Sequence, residues 1–335
     1  PGTMKTRTFD RVQWDKIINN LPGIKVRYAY PFPDYKLTRA VLSDRFIRDD
    51  NYAHQVLYRL RSRDYLRTWL PDQDEFLHWR ALQRSGYLAD FANSFMILLS
   101  RSNHVLERSL VNDFTYFSDQ RRKPEYRCVT FKRNGGRAVY KTALTMVDGA
   151  GKNGVVHHEP TADTYQSGPL LAVEWLDYLS SGFDNDHFLK SVEQYYSYLK
   201  GQCKDPEKAG YLYDLLPFNI ICLDGGYIVI DKEWRAKGRI EAEFILFRSL
   251  LWFAHAHESI IASNFSIDAV HSIYDFIAYV FNHLGIDLEN RVTQLIGQEE
   301  RIQQDISYQI GPNPLEKLLY QPLQHYALTL SPETF

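Results

Sequence analysis

The stretch that decides the fold is residues 211–234, which read YLYDLLPFNIICLDGGYIVIDKEW. Asn219 lies five positions after Asp214, and Asp231 lies twelve positions after Asn219. Apolar and β-branched residues on both sides of the DGG tripeptide at 224–226 predict two strands joined by a tight turn, because glycine adopts the positive φ of such turns without steric cost. Asp231 closes the second predicted strand.

This order of an acid, an amide and a second acid supplies the parts that phosphoryl transfer requires. The reaction needs one group that orients and deprotonates the acceptor hydroxyl, and hard oxygen ligands that hold Mg²⁺ on the nucleotide phosphates. In the protein-kinase-like fold, the catalytic loop and the metal-binding aspartate have this spacing.

Residues 106–257 resemble kinase-like phosphotransferases. Within them they are similar to a bacterial branch associated with surface-polysaccharide synthesis, which includes the bifunctional kinase–methyltransferase enzymes that terminate O-antigen chains. The pattern of that branch matches here at Asp214, Pro217, Asn219, Asp231, Glu233 and Trp234. The resemblance implies that Asp214 is the catalytic base, that Asn219 and Asp231 ligate Mg²⁺, and that ATP is the phosphoryl donor.

The segments before residue 211 also occur in the order that the kinase-like pattern predicts. Residues 126–133 and 137–144 predict two strands around a glycine-rich turn, and Lys141 on the return strand would reach the α- and β-phosphates of ATP. Residues 170–176 (LLAVEWL) are predicted to form the strand and hinge between two lobes, where the backbone near Glu174 would bind adenine.

The sequence departs from the kinase pattern at two points. No glycine-rich phosphate loop precedes Lys141, and the corresponding turn at 118–124 is basic instead. Arg122 and its neighbours Arg121 and Lys123 would contact phosphate by charge, and a solvated basic turn is the alternative. The glutamate that should pair with the lysine is not evident, and Glu159 is a candidate by position.

The order of elements predicts an α+β, bilobal protein-kinase-like fold. Residues 1–105 would be an N-terminal extension, 106–175 a small β-rich N-lobe and 176–335 a helical C-lobe. In the extension, YPFPDYKL at 30–37 and FANSF at 91–95 are similar to the end of a methyltransferase module, although no glycine-rich loop for S-adenosylmethionine is present. The tripeptide Pro-Gly-Thr before the first methionine is typical of a cleaved purification tag.

The composition limits the classes of partner and the location that we expect for this protein. The formal net charge of −2 over 335 residues gives no basic excess, so nucleic acid is not the expected partner. Three widely spaced cysteines favour a reducing, cytoplasmic setting, and no apolar run is long enough to span a bilayer. Residues 288–306 predict an amphipathic helix or, alternatively, a coiled coil through which the chain would form a homo-oligomer.

The sequence therefore predicts an ATP- and Mg²⁺-dependent kinase that phosphorylates a sugar hydroxyl of a bacterial surface glycan or lipid-linked oligosaccharide, in O-antigen or capsule biosynthesis. Its expected location is the cytoplasm, with peripheral association at the inner membrane as an alternative. Two other classes stay open. One is a catalytically inactive kinase-like module that scaffolds polysaccharide assembly, and the other is a small-molecule kinase acting on an aminoglycoside or a choline-like acceptor.

Overall fold

The computed structural model describes residues 9–60, 74–121, 123–145, 156–180, 184–204, 212–223, 225–236, 238, 240–265, 270–306 and 314–323. Within them the chain is α+β, and its paired strands are mostly antiparallel. The described residues fall into two compact units. Unit 1 is drawn from Pro1–Arg63, Glu75–Tyr116 and Phe131–Ala138, and unit 2 from Asp64–Asp74, Phe117–Thr130 and Val139–Phe335. The domain boundaries predicted at 105/106 and 175/176 stay predictions.

Unit 1 is an antiparallel sheet with helices. Its elements are α1 (Arg11–Asn19), β1 (Lys25–Phe32), β2 (Ala40–Ser43), α2 (Asp44–Asp49), α3 (Glu75–Arg84), β3 (Met96–Ser100), α4 (Asn103–Ser109) and β4 (Asn112–Ser118), the last two residues of which belong to unit 2. The strand order is β3-β1-β2-β4. Tyr30, Phe32 and Leu42 are fully buried. Asp10 begins α1 with a capping box, in which its side chain and that of Gln13 each accept the other residue's amide N–H.

Unit 2 contains the remaining strands. They are β5 (Cys128–Arg133), β6 (Ala138–Ala143), β7 (Val156–His158), β8 (Asp163–Thr164), β9 (Ile220–Leu223), β10 (Gly226–Val229) and β11 (Trp234–Ala236), with the ends of β5 and β6 nearest their turn assigned to unit 1. β5, β6 and β8 are neighbours in that order, whereas β9 pairs with β10 and β7 with β11. Gly135 and Gly225 have φ of 69° and 74°. Both predicted strand–turn–strand segments are therefore confirmed.

The helices of unit 2 follow the strands that precede residue 170 and flank the β9–β10 hairpin. They are α5 (Leu171–Ser180), α6 (Asn185–Cys203), α7 (Ala242–Ala256), α8 (Glu258–Asn264), α9 (Ile273–His283), α10 (Val292–Ile306) and α11 (Pro314–Tyr320). Their core is aromatic, and Trp175 meets Phe188, Tyr195 and Phe253 in edge-to-face contacts. Such contacts add to the stabilisation that burial of the rings provides.

The strand predicted over residues 170–176 is wrong, because α5 begins at Leu171. Leu171, Trp175 and Leu179 are buried at a spacing of four residues, which is the period of a helix face. A seven-residue apolar window is too short to separate a buried helix from a buried strand. Leu170, just before the helix, forms an isolated antiparallel bridge with Ile221.

The predicted helix near the C-terminal end is confirmed as α10. Val292, Leu295 and Ile302 on it are buried within the chain, which favours the plain amphipathic helix over the coiled coil. The homo-oligomer stays a prediction. None of the helices in the described residues combines the length and apolarity that crossing a bilayer requires.

Candidate active site

Two short 3-10 turns, Leu212–Asp214 and Pro217–Asn219, precede the β9–β10 hairpin. The Asn219 side chain donates from Nδ2 to the carbonyl of Asp214 at 3.2 Å, so it holds the first turn against the second. The carbonyl of Asn219 accepts the amide N–H of Ile230 at 2.8 Å. The hairpin therefore returns the chain to Asn219 one residue before Asp231.

Asp214 is 2% exposed and is held by the backbone that follows Asp231. Its Oδ2 accepts the amide N–H groups of Glu233 and Trp234, both at 2.7 Å. Burial raises the pKa of Asp214 well above its ordinary value, and the charge of Glu233 raises it further, although the two N–H donors oppose the shift. A carboxyl group with a raised pKa is thus held against the Asp-x-Glu-Trp motif at residues 231–234.

Lys141 lies on β6 with its side chain 5% exposed. Its Nζ forms an ion pair with Asp231 and a second one with Glu233 Oε2 at 2.9 Å. Burial alone would lower the pKa of Lys141, but the two carboxylates outweigh it and the pKa is raised. The predicted strand lysine and the predicted metal aspartate, ninety positions apart in the sequence, are therefore in contact.

Asp231 differs from its neighbours in exposure and in backbone. It has φ of 60°, the left-handed region, where Asp and Asn are tolerated better than most side chains. Its side chain is 42% exposed, whereas those of Lys141 and Glu233 are 5% and 3% exposed. The surrounding burial and the charge of Glu233 still raise the pKa of Asp231, and Lys141 opposes them. Asp231 is the end of this group that a ligand in solution can reach.

Glu233 is the residue that the sequence analysis missed as the partner of Lys141. Arg121 contacts both of its carboxylate oxygens, and His158 Nε2 lies 3.2 Å from Oε2. Burial would raise the pKa of Glu233, yet Arg121 and Lys141 lower it well below its ordinary value. The available signal was its place in the Asp-x-Glu-Trp motif, to which the pattern assigned no role.

Cys128, His158 and Glu233 bring one potential metal-ligand atom each within 4.8 Å of the others. The guanidinium of Arg121 already lies among them, with NH1 3.5 Å from the Cys128 sulfur and 3.0 Å from His158 Nε2. Burial and Glu233 raise the pKa of the Cys128 thiol, which disfavours the thiolate that a metal binds. We therefore interpret Cys128, His158 and Glu233 as the residues that bind the guanidinium of Arg121, and not as ligands of a metal ion.

The remaining predicted residues lie elsewhere. Glu174 is in the first turn of α5, where its amide N–H donates to the carbonyl of Leu170 at 3.1 Å and is not offered to an adenine. Burial raises the pKa of Glu174, while a hydrogen bond with Cys222 lowers it. Arg122 lies outside the described residues.

One further expectation stays a prediction and one is corrected by the contacts. Arg121 is held by Glu233 inside the site and Lys123 Nζ pairs with Asp305 at 2.9 Å, so both basic side chains have carboxylate partners, and their contact with phosphate stays a prediction. Glu159 pairs with His157 at 3.4 Å and with Arg235 at 3.7 Å, so the carboxylates at Lys141 are Asp231 and Glu233 instead.

Comparison of the chain with protein-family models, with curated proteins and with solved structures finds no match in any of the three. We therefore argue function from the residues of the site. These are the Lys141–Asp231 pair, the buried carboxyl of Asp214, and Asn219, which is hydrogen-bonded to Asp214 through its side chain and to Ile230 through its backbone carbonyl.

Proposed function

We propose that unit 2 carries an ATP- and Mg²⁺-dependent phosphotransferase site whose acceptor is a sugar hydroxyl of a bacterial surface glycan. One observation carries the phosphotransferase proposal: a buried strand lysine, Lys141, forms an ion pair with a half-exposed aspartate, Asp231, at the end of a hairpin that begins beside Asn219. A cation for the phosphates and oxygen ligands for a metal are the groups that this chemistry needs. The glycan acceptor rests on the resemblance of the 211–234 segment.

Each group has a role in this proposal. Asp231 and Asn219 offer the oxygen ligands that suit Mg²⁺, which when bound would neutralise phosphate charge. Lys141 binds the nucleotide phosphates. The acceptor hydroxyl gives its proton to Asp214 as its oxygen bonds to the γ-phosphorus, and the bond to the bridging oxygen breaks to leave ADP. A raised pKa is the direction that a general base requires.

The kinase-like bilobal arrangement belongs to the same proposal. β5, β6 and β8 would form the N-lobe and α5–α11 the C-lobe, with residues 165–170 as the hinge in place of 170–176. This link is fixed on β9, since the amide N–H of Cys222 donates to the carbonyl of Pro169 at 2.9 Å. A Cβ on Gly168 would lie 2.7 Å from the Ile221 side chain, so the close approach requires glycine.

The test is turnover with radiolabelled ATP and Mg²⁺ on a panel of lipid-linked O-antigen and capsule oligosaccharides, aminoglycosides and choline. We expect a phosphorylated glycan from wild type and a fall of about 100- to 10,000-fold in kcat for Asp214→Asn, the range for loss of a general base. Asp184→Asn is the matched control, because Asp184 caps α6 at the surface and should leave turnover unchanged. A wild type that matches Asp214→Asn on every acceptor would contradict the proposal.

A catalytically inactive nucleotide-binding module is the second candidate, and one observation favours it. Asp214 is 2% exposed, and its Oδ2 already accepts two backbone N–H groups, as an anchor would. Calorimetric titration with a non-hydrolysable ATP analogue and Mg²⁺ separates the classes when combined with the turnover assay. Binding that is lost in Lys141→Met, without product from any acceptor, would identify the binding module.

A further inference from the structure

The backbone on both sides of Asp214 is held by buried side chains. Arg248 on α7 donates from NH1 to the carbonyl of Tyr213 at 2.6 Å. The hydroxyl of Tyr195 on α6 donates to the carbonyl of Leu215. Tyr195 is fully buried and the side chain of Arg248 is 9% exposed, so neither contact competes much with water.

Arg248 is itself fixed from helix α10. Its Nε lies 2.8 Å from Oε2 of Glu299, which is completely buried. The other carboxylate oxygen of Glu299 accepts Trp252 Nε1 at 2.7 Å and Gln303 Nε2 at 2.6 Å. Trp252 and Gln303 therefore fix this buried carboxylate through one oxygen, and its charge holds the guanidinium beside it as an ion pair, without a hydrogen bond between Arg248 Nε and Glu299 Oε2.

The end of α10 also reaches the strands of the site. Asp305 pairs with Lys123, just before β5, and Ile306 packs against the cluster of Tyr126, Val156 and Trp234. The amide N–H of Trp234 is one of the two that bind Asp214. Helix α10 therefore packs against the segment that hydrogen-bonds to the Asp214 carboxylate, and it is linked to the segment before Asp214 through Arg248 of α7.

We propose that Arg248 and Glu299 are positioning residues for Asp214, and that α10 sets the orientation of its carboxylate through them. The inference rests on the proposed phosphotransferase function for its kinetic consequence, because a general base acts only within hydrogen-bond reach of the proton it takes. Its structural consequence is independent of any activity: loss of the Arg248 contact frees the carbonyl of Tyr213, the residue before Asp214, and we expect the amides of Glu233 and Trp234, which Asp214 holds, to exchange faster as a result.

The experiment compares Arg248→Lys and Glu299→Gln, which preserve most of the side-chain volume, with Asp74→Asn. Asp74 forms a buried pair with His257, so its substitution disturbs unit 2 in a similar way without touching the segment around Asp214. Hydrogen–deuterium exchange is measured on peptides that cover residues 212–219 and 231–236. We expect exchange at least tenfold faster in these peptides for Arg248→Lys and Glu299→Gln than for wild type and Asp74→Asn.

Kinetics give the second readout where wild type transfers phosphate. We expect kcat to fall at least tenfold in both variants while the KM for ATP changes less than twofold, since Lys141 and Asp231 are untouched. Exchange that matches Asp74→Asn, or an unchanged kcat, would overturn the positioning role. If wild type transfers no phosphate, the proposed function fails, and the exchange experiment alone decides the role of Arg248 and Glu299.

Discussion

Each unit contains a cluster of ionisable side chains, and the two clusters are built differently. In unit 1, the single carboxylate of Asp44 receives Arg11, Tyr30 and Arg48. In unit 2, Lys141 pairs with both Asp231 and Glu233, Arg121 pairs with Glu233, and Asp214 accepts the amide N–H of Glu233. We call these the Asp44 cluster (Arg11, Tyr30, Asp44 and Arg48) and the site cluster (Arg121, Lys141, Asp214, Asp231 and Glu233).

The proton affinities differ accordingly. Burial would raise the pKa of Asp44, but hydrogen bonds from Arg11 and Tyr30 lower it, so the whole cluster favours one charge state. In the site cluster the pKa values diverge: those of Asp214 and Asp231 are raised, and that of Glu233 is lowered. A carboxylate saturated with donors stabilises a fold, whereas neighbouring carboxyls of unequal proton affinity are typical of active sites.

The largest effect is expected from Glu233→Gln. It leaves Arg121 and Lys141 buried without their shared anion, which costs about 3–5 kcal/mol in the free energy of unfolding. Urea denaturation measures the loss. Glu159→Gln is the control, because this partly exposed glutamate should change stability by less than about 0.5 kcal/mol. Equal stability of the two variants would contradict the role of Glu233 as the anion that Arg121 and Lys141 share.

Asp44→Asn should cost about 2 kcal/mol, the scale of a hydrogen bond to a charged group, and leave nucleotide binding unchanged. The folded pKa of Asp44 lies below its ordinary value of 3.8. Its stabilisation is therefore complete above about pH 4 and is lost as the pH falls through the folded pKa. Wild type and Asp44→Asn should converge in acid, and denaturation at several pH values measures this. A cost that does not decline as the pH falls below 3.8 would contradict the charge-based account.

Asp214→Asn should have a smaller effect of opposite sign. Because the folded pKa of Asp214 lies above 3.8, the stability from its protonated form is complete below that value and is lost as the pH rises through the folded pKa. Asparagine stays neutral, so the variant should unfold at a higher temperature than wild type at pH 7 and at the same temperature below about pH 3. A lower unfolding temperature at pH 7 would mean that Asp214 is a structural anchor.

The smallest effect is expected at the exposed pair of Arg27 and Glu107. These groups are 3.9 Å apart, with side chains 45% and 62% exposed. Glu107→Gln should change the free energy of unfolding by less than about 0.5 kcal/mol, because water and salt screen exposed pairs. Urea denaturation at low and high salt checks this. A loss near that of Asp44→Asn would show that burial does not explain the strength of the Asp44 cluster.

The parts of the site that depend on local pattern could be predicted from the sequence. The turn at Gly225 and the β-branched runs beside it specify a hairpin, so Asp231 had to return near Asn219. Lys141 was placed on a strand by the same kind of signal at Gly135. Its contact with Asp231 was not predicted, because no local pattern encodes a pairing of residues ninety positions apart.

The contacts that the sequence did not predict join residues that are far apart in the chain. Arg121 and Glu233 are 112 positions apart, and nothing in either neighbourhood indicates the other. The link of Arg248 to Glu299 likewise joins two helices that each have an ordinary apolar pattern. The error at Glu174 had a different cause, since the apolar run around it satisfies the strand and helix patterns equally well.

Arg121 has a consequence for chemistry at this site. Its guanidinium lies among Cys128, His158 and Glu233, at the position that a metal ion bound by these residues would occupy. The positive charge at this position therefore belongs to a side chain and not to a dissociable ion. A guanidinium keeps its charge at any pH at which the fold survives, and no chelator removes it. Treatment with a chelator should therefore leave the contacts of Arg121 intact, and an effect of chelation on nucleotide binding would concern the Mg²⁺ of the nucleotide, for which we propose Asp231 and Asn219 as ligands.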